Sequence, residues 1–225
     1  MPELLTGAAR DERRAAVADL GDALRELVDA AVRTEVDAGG LAAAAAAARE
    51  LAAALRADGR GLHEVASVDD PVAGERWYSP VYGPGSPVAP PLLVESEGRG
   101  RVVARVTVPK ALEGPPGLVH GGTIATLLDH VLARALRSAG RGGLTATLTV
   151  TYRRPVRLGV EHVLHAEVGA VEGRRSTARA RITTAEDPGT VLAEGEGLFV
   201  ALRPEAVAAT FAGVDHTPEA WTARP

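Results

Sequence analysis

The spacing of apolar positions changes character twice along this chain, and each change marks a boundary. From Val17 onward, Leu20, Leu24, Leu27, Val28 and Ala31 recur at the three-and-four spacing of one helix face. Gly39-Gly40 predicts a break, and an alanine-rich second helix is expected from about residue 41 to 55. Residues 1–60 therefore read as a helical hairpin extension. Residues 61–91 contain Ser79-Pro-Val-Tyr-Gly-Pro-Gly-Ser-Pro-Val-Ala-Pro-Pro91, which suits neither a helix nor the middle of a sheet. This stretch is expected to be a linker, or a segment laid over the next domain.

Alternation with a period of two begins at Leu92, with Val102, Ala104, Val106 and Val108 on one strand face. A helix over roughly residues 122–139 follows. Four more strands are expected over 144–153, 162–171, 176–184 and 191–202. Turn signals at Arg157-Leu158-Gly159, Glu172-Gly173 and Asp187-Pro188-Gly189 separate them. One helix followed by a meander predicts an antiparallel α+β domain over residues 92–203, with residues 204–225 as a tail.

Composition narrows the function classes. The chain has 225 residues, 46% of them hydrophobic, enough for one good core plus an appendage. A formal net charge of -4 and the absence of a basic stripe argue against nucleic acid and against an anionic membrane surface. With no cysteine, disulfides, thiolate metal sites and a cysteine nucleophile are all excluded. The N-terminus lacks the apolar core of a signal peptide, and Arg49 and Glu50 interrupt the longest alanine-rich run. The expectation is a cytoplasmic protein without membrane partners.

Chemistry concentrates on the predicted domain helix. Ile124, Leu127, Leu128, Val131, Leu132, Ala135 and Leu136 cover most of its circumference, so it is expected to be buried. Asp129 lies in its middle. An unpaired buried carboxylate costs on the order of several kcal/mol unless it is paired or lies at a wet cleft. At the helix start, His120-Gly121-Gly122 brings two glycines to a terminus whose first N–H groups have no helical partner. Such donors suit an anion, or the oxyanion formed when a thioester carbonyl is attacked.

The stretch Glu113-Gly-Pro-Pro-Gly-Leu-Val-His-Gly-Gly-Thr-Ile-Ala-Thr-Leu-Leu-Asp129 closely resembles the signature of PaaI-like hotdog-fold acyl-CoA thioesterases. It is especially similar to the subgroup that includes animal mitochondrial acyl-CoA thioesterases. Thr149-Val-Thr-Tyr-Arg-Arg-Pro-Val156 and Val171-Glu-Gly-Arg-Arg175 add to the likeness. It covers roughly residues 79–202 and leaves residues 1–60 outside. The resemblance implies a sheet wrapped around one long helix. It implies that the Gly121 N–H polarises the thioester carbonyl and that His120 helps to position it. Asp129 would attack the thioester or activate water, and Thr145 would orient that water. Gly122 and the arginines 153, 154, 174 and 175 are the implied substrate contacts, since coenzyme A carries phosphates that guanidinium groups bind well. Coenzyme A is then part of the substrate, and no cofactor or metal is called for. Many relatives have asparagine six residues before the motif histidine, where this chain has Gly114.

Spacing adds one requirement. Gly121 and Asp129 are eight residues apart, which in a helix is about 12 Å along the axis and roughly 80° around it. Donor and nucleophile must meet at one carbon, so one chain does not supply both to one substrate. Two antiparallel helices across a two-fold axis do, as the family's architecture also implies. A homodimer is expected, or a dimer of dimers.

Two other readings compete. A non-catalytic acyl-CoA sensor would not need Asp129. A hydratase or dehydratase would pair an acid with a histidine a few positions along the helix, whereas His130 points about 100° away from Asp129. His162 and His165 fall on opposite faces of one strand, which sets a metal site there aside.

Overall fold

The computed structural model describes residues 4–70, 73–90 and 92–212. Two helices come first, α1 (Gly7–Arg33) and α2 (Ala38–Arg56). Then come β1 (Leu93–Gly98), β2 (Arg101–Thr107), a 3-10 turn (Lys110–Leu112) and the long helix α3 (Gly121–Ser138). Four strands follow: β3 (Leu144–Tyr152), β4 (Glu161–Glu172), β5 (Arg175–Thr184) and β6 (Ala193–Val200); a short helix α4 spans Pro204–Thr210. All six strands form one antiparallel sheet in the order β1-β2-β4-β5-β6-β3. This is the expected α+β hotdog architecture.

The sheet wraps α3 because the two surfaces were built for each other. Leu128, Val131, Leu132 and Ala135 are fully buried, against inward residues such as Ala104 of β2, Leu164 of β4, Ile182 of β5 and Phe199 of β6. Each buried leucine contributes about 1.5–3 kcal/mol of apolar burial. Strand β6 lets the helix come close: a Cβ on Gly195 would lie 3.2 Å from Leu128 Cβ, and one on Gly197 would lie 3.3 Å from Leu132 Cδ1. Small residues on the sheet and large ones on the helix interlock in this way.

Strand β3 stands at the end of the sheet, paired only with β6 among the described residues. Most of its nine residues are exposed, with Leu144 38% and Tyr152 54% accessible. A long uncovered edge of this kind is a template for pairing with another strand.

The N-terminal region differs from the expected hairpin in two respects. The break falls at residues 34–37 and not at the glycine pair, because Asp37 caps α2 by accepting the Gly40 N–H at 2.8 Å. Gly39 and Gly40 are therefore accommodated in the first turn, where N–H groups need outside partners in any case. Nor do the helices zip together, since α2 buries none of its residues. By length and composition α2 is apolar enough to cross a membrane.

Helix α1 instead clamps the covering segment. Val17 packs with Ala66, Val68, Trp77 and Tyr78. Arg14 donates to the Val68 carbonyl at 2.9 Å, pairs with Glu75 at 2.8 Å and lies over the Trp77 ring. Arg25 donates to the carbonyls of Pro84 and Ser86. Gly21 meets this segment so closely that an added Cβ would sit 2.1 Å from the Pro84 carbonyl oxygen. Val81 and Tyr82, farther along, reach the domain core.

Candidate active site

The site is built on the start and the middle of α3. At its start, His120 is the N-cap, and its Nδ1 accepts the Gly122 N–H at 3.0 Å. That N–H is therefore engaged within the chain. The neighbouring Gly121 N–H has no acceptor among the described residues. It is a free donor at this terminus, where the helix dipole favours negative charge.

Two contacts shape this end. The Tyr152 hydroxyl donates to the Gly121 carbonyl at 2.9 Å, and a Cβ on Gly121 would lie 3.4 Å from that hydroxyl. Sequence reasoning quoted Tyr152 in a motif and gave it no task. Its inward register opposite Ala193 is the signal that would have found it. Gly114 lies against His120, where a Cβ would come within 2.8 Å of His120 Cα. The asparagine common at this position would not fit the backbone path found here.

Asp129 is half-buried two turns along. Its Oδ1 accepts a hydrogen bond from the Thr145 hydroxyl at 2.9 Å. That contact depends on an irregularity in β3. The register shifts between Thr145 and Thr147, so Thr145 lies opposite the buried Phe199 while Thr147 lies opposite Leu198. The extra residue, Ala146, reverses the alternation. Thr147, Thr149 and Thr151 face away from α3, beside Leu198, Glu196 and Glu194, and Thr145 alone faces the helix. Simple alternation would set all four threonines on one face, and the bulge separates Thr145 from the other three.

Beside Asp129 and Thr145 opens a cavity of about 320 Å3 between α3, the start of β3 and the covering segment. His130 forms part of its wall and stacks on Tyr82 with ring centroids 4.6 Å apart. Burial, with help from Arg137 and Arg134, pushes the His130 pKa down to about 3, so the ring is neutral at ordinary pH. On the sheet, His162 is buried and His165 faces outward beside Arg181, on the other side.

The four arginines divide between the two ends of the domain. Arg153 and Arg154 follow β3 at the Tyr152 end, and Arg153 is bound to Glu194 at 2.6 Å. Arg174 and Arg175 sit at the β4–β5 turn, where Arg175 lies opposite Val200, itself opposite Leu144. Arg174 donates to the Ala201 carbonyl at 2.9 Å. Within one chain these four groups do not converge.

The chain is similar to several known proteins. The family model "Thioesterase superfamily" matches residues 116–191, the stretch that carries Gly121, Asp129 and Thr145. The chain is 37% identical over 93 residues to the acyl-coenzyme A thioesterase THEM4 of Xenopus laevis, covering 41% of each chain. It is 29% identical over 106 residues to human acyl-coenzyme A thioesterase 13, covering 46% of this chain and 75% of the relative. The chain thus spans about two-fifths of the THEM4 relative's length. A crystal structure of a thioesterase superfamily protein is 37% identical, with a TM-score of 0.73, and the match covers 82% of this chain and 94% of that one. Such coverage exceeds what residues 61–225 could supply, so the likeness extends into the helical region. With near-complete coverage of a solved relative at this identity, the chain belongs to the thioesterase superfamily.

Proposed function

We propose that this protein hydrolyses an acyl-CoA thioester to a free acid and CoA. The observation that carries the reading is the Asp129 carboxylate, half-buried at the wall of a cavity and held by the Thr145 hydroxyl at 2.9 Å. The names of the THEM4 and thioesterase 13 relatives point to the same substrate class. Asp129 acts as nucleophile through a mixed anhydride, or as general base for a water that Thr145 helps to orient. The Gly121 N–H binds the carbonyl oxygen and stabilises the charge that develops on it. His120 holds the first helical turn in shape through its bond to Gly122.

Donor and nucleophile come from different copies in this reading. The uncovered β3 edge supports it: two such strands paired antiparallel about a two-fold axis bring the Tyr152 end of one chain to the Leu144 end of the other. Gly121 of one copy then approaches Asp129 of its partner. The same pairing brings Arg153 and Arg154 of one copy toward Arg174 and Arg175 of the other, where a CoA phosphate is a natural ligand. A cytoplasmic location is part of the same proposal.

The test is release of free CoA from a panel of short, long and aromatic acyl-CoAs, with wild type beside Asp129→Asn. Turnover by wild type should fall by ~100-fold or more in the variant, the scale of losing a positioned acid–base group. Absence of turnover across the panel would favour a binding or sensor role, and full activity in Asp129→Asn would refute the assignment of this residue.

A further inference from the structure

Three guanidinium groups surround the Tyr82–His130 stack, and they are not alike. Arg76 is bridged to Asp69 at 3.5 Å. Arg134 lies over the Tyr82 ring and donates to Glu97, from Nε at 2.9 Å and also from Nη2. The side chain of Arg137, one turn farther along α3, makes no hydrogen bond or ion pair with any described residue. It is half-buried in the cavity wall, with Nη1 3.5 Å from where a Cβ would stand on Gly74. Glu97 acts on it only through space and is already held by Arg134.

A guanidinium withdrawn from water without a carboxylate is costly unless something else supplies the charge. Burial does weigh on it, pulling its pKa below the ordinary arginine value. His130 cannot help, because it is neutral and offers no negative charge. The cavity that Arg137 shares with Asp129 has apolar walls between them, from Val81, Ala133, Leu136 and Phe199. Asp129 and Arg137 are thus separated by a greasy passage, and the third charged residue of the lining, Arg76, is bridged to Asp69. Asp129 and Arg137 are eight residues apart on one helix, about 12 Å along the axis.

Building on the thioesterase reading above, we propose that this cavity receives the acyl chain and that Arg137 binds an anionic group at the chain's far end. The preferred substrates are ω-carboxyacyl-CoA thioesters, the half-thioesters of dicarboxylic acids. The thioester carbonyl lies at Asp129, the methylenes run along the apolar walls, and the distal carboxylate takes the paired N–H donors of the guanidinium. Arg137 is a specificity residue in this scheme and takes no part in bond cleavage.

The experiment compares length-matched pairs on the full-length protein: succinyl- with butyryl-CoA, adipoyl- with hexanoyl-CoA, and suberoyl- with octanoyl-CoA. At the best-fitting length, kcat/KM for the carboxylated member should exceed that of its partner by ~10-fold or more, the scale of a charge-assisted hydrogen bond in a sheltered site. Arg137→Gln should bring that ratio to about one or below, and Arg137→Lys should restore part of it. A wild-type ratio at or below one for every pair overturns the inference while leaving the thioesterase reading intact. Equal loss on both members of each pair in Arg137→Gln also overturns it, since that pattern belongs to a contact with CoA or to structural damage. Hydrolysis of none of the six thioesters also overturns it, and the wider acyl-CoA panel above then decides the thioesterase reading by itself. If Arg137→Gln does not fold, the wild-type ratios still decide, together with competitive inhibition by free adipate or suberate measured against hexanoate or octanoate.

Discussion

Helices α2 and α3 are nearly equal in length, 19 and 18 residues, and both are dominated by apolar side chains. Helix α3 buries seven residues and α2 buries none. What separates them is the size and arrangement of their side chains, not hydrophobicity as such. Helix α3 carries leucine, isoleucine and valine on nearly every side and meets a sheet that leaves room for them. Helix α2 is mostly alanine, which forms helices well but buries little area per residue. Alanine makes a helix; larger residues give it somewhere to go.

The contrast can be tested by truncating one leucine on each helix. Leu128→Ala should cost ~2–5 kcal/mol in denaturant unfolding, because the site is enclosed and collapses poorly. Leu51→Ala on α2 should stay within ~0.5 kcal/mol, as expected for an exposed position. A comparable loss at both would show that α2 is covered in solution. Between these extremes lies α1. Gly21→Ala should cost ~1–3 kcal/mol, since the added methyl meets the Pro84 backbone and must push α1 off the covering segment. That segment lines the cavity, so the same variant should raise KM for acyl-CoA more than it lowers kcat.

A smaller effect should appear in the acid limb of stability. The His130 pKa falls from 6.5 to about 3 on folding, so between those values the unfolded chain binds more protons than the folded one. Stability is then full above about 6.5 and declines as pH falls toward 3. His162, also lowered by burial, acts in the same direction, and Asp69, raised by burial, acts in the opposite one at carboxylate pH. The measurement is therefore the difference in Tm between pH 7 and pH 5, wild type against His130→Gln. The variant should show a shallower decline, and an unchanged slope would contradict the buried neutral state.

The domain itself was readable because its signals are repetitive. The four strands after α3 begin and end within about two residues of the positions that alternation suggests, and α3 within one. Single-residue effects were harder to read. Asp37 reset the α1–α2 boundary through a cap that outweighs a glycine pair. Nothing in the composition of β3 announces the extra residue at Ala146, and without it the pairing of Thr145 with Asp129 could be drawn only from resemblance. By sequence, Arg137 is an ordinary basic residue in the last turn of a helix. Its lack of a partner is a property of three-dimensional surroundings.

The bulge at Ala146 has a consequence for how such a site can be lost. Thr145 faces Asp129 because an odd number of residues was inserted into a structure that counts in twos. The site thus depends on a parity as well as on residue identities. Deleting one codon for a small, chemically silent alanine would leave every reactive group in the chain and turn the threonine to the opposite face. A list of matched catalytic residues would pass such a chain as intact, although its reactive carboxylate would have lost its hydroxyl partner.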